Sequence, residues 1–319
     1  MLNLITQRVV LSLVTLLIVS VIIFVSTEVL PGDVATAILG REASPARLAA
    51  LREQLGLDRP AFDRYLEWLG GALRGEFGMS LARRNTAVGQ LIAERLRNTV
   101  LLSAVAAAIG LPLSLALGVI AGLLRDRVPD VLISTIALIG MSLPEFVIGS
   151  VLILTFGVLW ALLPAVTVVP PDAPLDVLLP NLVLPAVTLI IVMVAYILRM
   201  VRSSLIEALA SDYVQMATLK GLSRPRVVLL HALPNALLPT INAVALTVAW
   251  LIGGVVVVET VFNFPGIGRL MVTAVEDRDL PLVQALGLLG AALYIAINLG
   301  ADLLTLWLSP RLRARLLQM

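Results

Sequence analysis

The chain has 319 residues, 59% of them hydrophobic and only 14% charged, where a soluble domain has about 25% charged residues, so it reads as an integral membrane protein. It has no cysteine and a single histidine, which excludes disulfides, thiol chemistry and Cys- or His-based metal clusters and triads. The net charge of +2 is small, and its distribution along the chain carries more information than its sum.

A helix crosses the hydrocarbon core with about 20 mostly apolar residues. Six stretches meet that length, near 9–30, 99–124, 131–159, 182–200, 238–262 and 282–308. The first is too long for a signal peptide and no small-residue cleavage site follows it, so it reads as a retained anchor over residues 1–30. Short loops rich in Lys and Arg face the cytoplasm. With the N-terminus inside, the inner face carries Arg8, Arg125, Arg127, Arg199, Arg202, Lys220, Arg224, Arg226, Arg311, Arg313 and Arg315, and the short outer loops only Arg269 and Arg278. Both termini are therefore expected in the cytoplasm.

Residues 31–97 form a long outer segment. In "SPARLAALREQLG", Ser44 is placed as N-cap, Pro45 in the first helical position and Gly56 as the stop, with Leu48, Leu51 and Leu55 on one face. In "DRPAFDRYLEWLGGAL", Phe62, Leu66, Leu69 and Leu73 share a side. Such an amphipathic segment either lies on the membrane or a partner, or only shields helix ends. Residues 98–308 make a five-helix core, and 309–319 a cytoplasmic tail. Pro112, Pro144 and Pro185 fall inside spans, where neighbouring helices satisfy the freed backbone groups.

Charges within or at the edges of spans are costly and often functional. Glu28 and Glu259 lie near outer span ends and are read as exposed to the interface; Asp302 is expected to pair with a nearby Arg. Glu145 follows Pro144 and, on a straight helix counted from Val131, stands about 21 Å along the span, past the middle of the core. It either faces a translocation path, favouring cationic cargo, or is hydrogen-bonded within the bundle.

Between the fourth and fifth spans stands "DYVQMATLKGLSRPRVVLLHALP", inside an elbow at 205–237 that holds the only lysine, Lys220, and the only histidine, His231. Asp212 with Gln215 forms the pattern of a capping box, Gly221 suits the C′ position and Lys220 the negative end of the helix dipole. A helix over 213–220 follows, too short to persist in water without docking. A second begins at Ser223 with Pro225 in its first turn, and Pro234 kinks or ends it. On physical grounds the elbow either packs on its own protein or docks on another. His231 is read as structural. The phosphate-binding pattern G-x-x-x-x-G-K-[ST] is absent, since Lys220 precedes Gly221.

The elbow resembles the cytoplasmic EAA loop of permease subunits of bacterial ABC importers, in which a Gly precedes a Leu-Pro pair at the spacing of Gly221 and Leu233-Pro234. The Glu-Ala-Ala itself is degenerate, reading Gln215-Met216-Ala217. "DYVQMATLKGL" is closest to the dipeptide/oligopeptide/nickel branch, but lacks that branch's arginines at Gln215 and Thr218 and also departs from it at Leu219. "VLPGD", "LGLDRP", "GEFGMSL", "LRNTVLL", "MSLPEFVIG", "LRMVRSSLIEALASDYV", "HALPNALLP", "VETVFNFPGIGR", "DRDLPLVQA" and "NLGADLLTLWLSPRLR" extend the likeness over essentially the whole chain.

The resemblance implies an all-α membrane protein with six transmembrane helices and the type I importer (MetI-like) permease fold. It implies the first permease subunit of a heteromeric importer in the bacterial inner membrane, beside a second homologous permease, two ATPase subunits and an extracytoplasmic substrate-binding protein. No enzymatic activity, metal or cofactor is expected of this chain, with ATP and Mg on the ATPases, and no nucleic acid. The short helix would be the coupling helix: Tyr213, Met216 and Ala217 offer apolar contact, and Asp212, Gln215 and Lys220 capping and polar contact. The implied cargo is a peptide or similar small solute; nickel chelates, opines, glutathione and oligosaccharides are the alternatives. A stand-alone secondary transporter or a membrane scaffold is the competing reading.

Overall fold

The computed structural model describes residues 2–28, 44–54, 59–83 and 85–308. Leu55, Gly56, all of "VLPGD", most of "LGLDRP", and the tail with Arg311, Arg313 and Arg315 lie outside the described residues. The described chain is a set of helices with one isolated β-bridge, between Met79 and Ala87. In order they are α1 (Leu2–Glu28), α2 (Pro45–Gln54), α3 (Ala61–Leu73), α4 (Val88–Leu123), α5 (Val128–Ser142), α6 (Glu145–Leu152), α7 (Leu175–Leu209), α8 (Asp212–Leu219), α9 (Arg224–Val227), α10 (Leu233–Val261), α11 (Ile267–Glu276) and α12 (Leu280–Leu308).

Among the described residues four helices are long and apolar enough to cross a membrane alone, and α5 with α6 and its continuation makes a fifth if the bent pair is one span. α10, with 29 residues, carries the stretch expected as span five. α7 lies at the centre of the bundle, and Leu178, Leu189, Met193, Ile197 and Val201 along it are buried to within 1%. The main core joins α7 to α4 and α10 through Leu102, Ala106, Val255, Val258 and Phe262.

α4 meets α7 through a ridge of small residues. Ala106, Gly110, Ser114, Gly118 and Gly122 recur every fourth residue and are all buried. A Cβ added at Gly118 would stand 2.6 Å from Cβ of Val201, and one at Gly110 1.8 Å from Cε of Met193. Without a hydrophobic force between helices in lipid, such close approach supplies the packing. The spacing is visible in the sequence, but a search for apolar length passes over it.

The prolines divide. Pro112 and Pro185 are carried within α4 and α7. Pro144 instead breaks its span: Leu143 before it is extended at φ −96° and ψ 131°, as the ring disfavours helix in the preceding residue. α5 and the following helix are bent by 104°. The straight-helix placement of Glu145, about 21 Å along one span, is thereby overturned. Glu145 is instead the first residue of a new helix, which runs on as a π-helical stretch from Ile153 to Leu159.

The second outer helix leaves its aliphatic stripe outward. On α3, Phe62, Leu66 and Leu73 are exposed, and the opposite side packs. Tyr65 and Trp68 stand with ring centroids 5.4 and 6.0 Å from Phe24 of α1, and the Tyr65 hydroxyl lies 2.8 Å from Ser20 Oγ. Aromatic area and a polar handle together fix this side of α3 on α1. α1 is held along α12 at both ends, by Gln284 Nε2 donating to Thr27 Oγ1 at 2.7 Å and by an Arg8–Asp302 ion pair at 2.5 Å. The pairing expected of Asp302 is thus present.

Candidate functional site

The elbow forms, with a cap one residue earlier than expected. Ser211, not Asp212, is the N-cap, at φ −75° and ψ 150°. The capping box of Asp212 and Gln215 does not form. The Ser211 hydroxyl donates to the carbonyl of Ala208, and Gln215 Nε2 reaches back to the carbonyl of Ala210 at 3.1 Å. Asp212 then lies in the first turn of α8, where its charge suits the positive end of the helix dipole. Because α7 ends only at Leu209, the side chains around the turn are drawn to its last carbonyls.

The C-terminal end of α8 matches the sequence expectation. Lys220 is the C-cap and Gly221 follows at φ +79°. The Gly221 amide donates to the carbonyl of Thr218 at 3.0 Å and the Leu222 amide to that of Ala217 at 3.4 Å. This is a Schellman motif, which requires the left-handed conformation that glycine adopts at least cost.

α8 buries Val214 and Ala217 in a small core with Leu205, Ala208, Val227, Ala232 and Ala236, against Val119 and Leu123 of α4. Ala217 therefore packs inward and cannot supply the outer apolar contact expected of it. Tyr213, Met216 and Leu219 are exposed, Leu219 at 81%. Three-residue spacing aligns them in one outward stripe. Leu219 belongs to this surface and was not among the expected contact residues; the same spacing, continued one step from Met216, points to it. Asp212, Gln215, Lys220 and Gly221 are exposed around it.

Beyond Gly221, Ser223 caps α9 and Pro225 lies in its first turn, as expected. Pro234 does not end the helix. It enters the first turn of α10 while the preceding turn widens to a π-helix over Val228–Ala232, which accommodates a residue without an N–H. Leu233 is half-buried and Pro234 exposed. His231 sits in this π turn, its carbonyl accepting from Asn235 Nδ2 at 2.8 Å. The elbow thus runs without interruption into α10.

Glu145 is half-buried at the start of α6, just past the break. Glu28 is paired with Arg64. Glu259 is completely buried, so its expected exposure at the interface is overturned. Its carboxylate accepts from Thr99 Oγ1 at 2.6 Å and from the Arg269 amide at 3.1 Å, while Thr99 Oγ1 accepts from the Ile267 amide at 2.8 Å. "NFPGIGR" turns here because Gly266 and Gly268 leave room. A Cβ on Gly266 would stand 2.0 Å from Glu259 Oε1, and one on Gly268 2.5 Å from Cα of Val256. Asn98, next to Thr99, donates to the carbonyls of Pro171 and Pro265, both at 2.9 Å. The bundle end far from the elbow is therefore tied by polar contacts around α4. Among the described residues no cluster of three or more metal-ligating side chains is present.

Residues 114–314 match the family described as binding-protein-dependent transport system inner membrane component, and residues 1–103 the N-terminal region described for such components. The chain is 38% identical over 313 residues to the glutathione transport system permease protein GsiC of Escherichia coli (strain K12), covering 98% of this chain and 99% of the relative. The proteins of the same name from Shigella dysenteriae serotype 1 (strain Sd197) and Shigella flexneri serotype 5b (strain 8401) are as similar, at 38% over 313 residues with the same coverage.

Proposed function

The chain belongs to the family of binding-protein-dependent transport system inner membrane components, and from that premise we propose that it forms half of the translocation pathway of a heteromeric importer. It is a permease subunit of an ABC importer in the inner membrane, working with ATPase subunits and a substrate-binding protein. In the proposed assembly a second homologous permease completes the pathway, and two ATPases lie beneath the pair. Six spans place both termini and the elbow in the cytoplasm, a reading supported by the excess of Lys and Arg on that side. ATP hydrolysis belongs to the separate subunits, as the missing phosphate-binding loop suggests.

The observation that carries this reading is α8. Its inner face is locked to α4 and α7, while Tyr213, Met216 and Leu219 face outward. An eight-residue helix so fixed transmits force to α7, which ends just before it, and through α9 and the π turn to α10. Closure of the ATPases pushes the elbow, and both helices tilt. The cargo is a small peptide, and the relatives named for glutathione transport favour glutathione itself.

The test is co-purification through a tag on this chain, followed by deletion of residues 212–221. ATPase subunits should accompany the intact chain and be lost, with uptake, from the deletion. ATPases and uptake both surviving the deletion would reject the coupling role. Uptake by a chain that purifies alone would support a secondary transporter.

A further inference from the structure

α5 is gripped by α7 through an ion pair whose carboxylate is buried and whose guanidinium is half-buried. Asp130, 2% exposed in the first turn of α5, accepts from Arg202 Nε at 2.6 Å and Nη2 at 2.8 Å. The fork is bidentate, the arrangement that fixes geometry as well as charge. Two further donors complete the carboxylate, the Asp126 amide at 2.9 Å and Ser134 Oγ at 3.1 Å. Higher on the same face, Arg199 Nη1 lies 3.0 Å from Met141 Sδ, and a Cβ on Gly140 would touch Cβ of Ala195 at 3.4 Å. α5 and α7 are thus joined along one line from Asp130 to the break at Leu143.

At this same end α7 is continuous with the elbow. Arg202 lies two turns before Leu209, where α7 stops, and Leu205 between them belongs to the core that holds α8. A displacement of α8 therefore reaches Arg202 through rigid helix. Past Arg202 it meets α5, whose other end is the 104° bend that carries Glu145 and α6. Packed helices move as discrete bodies, and a bidentate pair fixes the geometry between the two helices.

We propose that Arg202 and Asp130 are positioning residues of the transport cycle: their ion pair is the strut that carries movement of the elbow into the bent α5–α6 unit. The proposal rests on the coupling role of the elbow given above. It adds a third path beside α7 and α10, aimed at the helix break rather than along a continuous span.

The cysteine-free sequence allows specific spin labels. Tyr294 of α12 and Phe146 of α6 are exposed, at 48% and 52%, and Arg224 is exposed within the elbow. Distances from a label at 294 to one at 224, and separately to one at 146, are measured in the complex co-purified with its ATPases, without nucleotide and after trapping with ATP, Mg and vanadate. Both distances should change in the otherwise native chain. With Arg202→Gln the 224 distance should still change, while the change at 146 falls by at least half; Arg202→Lys, which keeps the charge but loses the fork, should restore part of it. A 146 change equal in native and Arg202→Gln chains overturns the strut, as does an otherwise native chain in which only the elbow moves. If Arg202→Gln does not assemble, Arg202→Lys decides alone, since an undiminished change at 146 is incompatible with the proposal. A tagged chain that brings no ATPases ends the elbow's coupling role instead, and the strut with it.

Discussion

Thr99 Oγ1 donates to Glu259 at 2.6 Å and at the same time accepts from the Ile267 amide at 2.8 Å. One hydroxyl thereby joins α4, the end of α10 and the start of α11. Thr99→Val keeps the shape and removes both bonds. Glu259 Oε1 and the Ile267 amide each lose this partner, and the loss of a partner at such a site costs about 1–3 kcal/mol. A lower melting midpoint in a thermal-shift assay on purified protein is expected; an unchanged midpoint would show the tie to be dispensable.

The glycines separate close approach from simple helix propensity. Ala at position 266 has no room, its Cβ falling 2.0 Å from Glu259 Oε1, whereas the Cβ of Ala at 290 meets nothing within 4 Å. Gly290→Ala should leave stability unchanged or raise it by up to about 1 kcal/mol. Gly266→Ala should lower it. The same assay on both variants decides, and equal behaviour would contradict the fit described for "NFPGIGR".

Docking and folding of the elbow should come apart in a pair of substitutions. Leu219 is 81% exposed and Val214 is 4% exposed. Leu219→Glu is expected to release ATPase subunits during purification while leaving the melting midpoint alone. Val214→Glu puts a charge into the elbow core and should lower both retention and stability. Retention of ATPases by Leu219→Glu at the native level would argue that the stripe of Tyr213, Met216 and Leu219 is not the contact.

Gly221, at φ +79°, should resist any side chain. The left-handed region costs a non-glycine residue about 1–2 kcal/mol. Gly221→Ala has open space around its Cβ, so backbone strain alone is tested. Faster proteolysis within the elbow is the expected sign.

Glu145 begins α6 at the break, half-buried. We predict that Glu145→Gln lowers uptake of a cationic peptide more than that of a neutral one, in parallel assays on proteoliposomes. Equal uptake of the two, before and after substitution, would leave the residue a purely structural role.

Much of the elbow was legible in the sequence. Gly221, Ser223 and Pro225 stand where their local chemistry puts them, because turn and cap preferences depend on the residue and its immediate neighbours. The cap at Asp212 was misplaced by one residue, since Ser211 is an equally good cap and the end of α7 decides between them. The burial of Glu259 was not legible, since a carboxylate near a span end is as compatible with water as with a pocket. Its partners Thr99 and Arg269 are 160 and 10 residues away, and only the fold brings them together. The same holds for Arg202 and Asp130, which the sequence shows as separate charges at two loop ends.

The membrane setting, the helical class, the family and the position of the elbow are all written in the linear chain. The setting, class and elbow follow from the length of apolar runs and from local backbone preferences, which act wherever the chain goes; the family follows from the resemblance of ordered motifs along the chain. Folding settles which face of each helix turns inward, that Pro144 breaks a span while Pro112 and Pro185 do not, and which charges meet a partner. Those outcomes depend on contacts between distant segments, where close packing and the cost of an unpaired polar group leave few arrangements open.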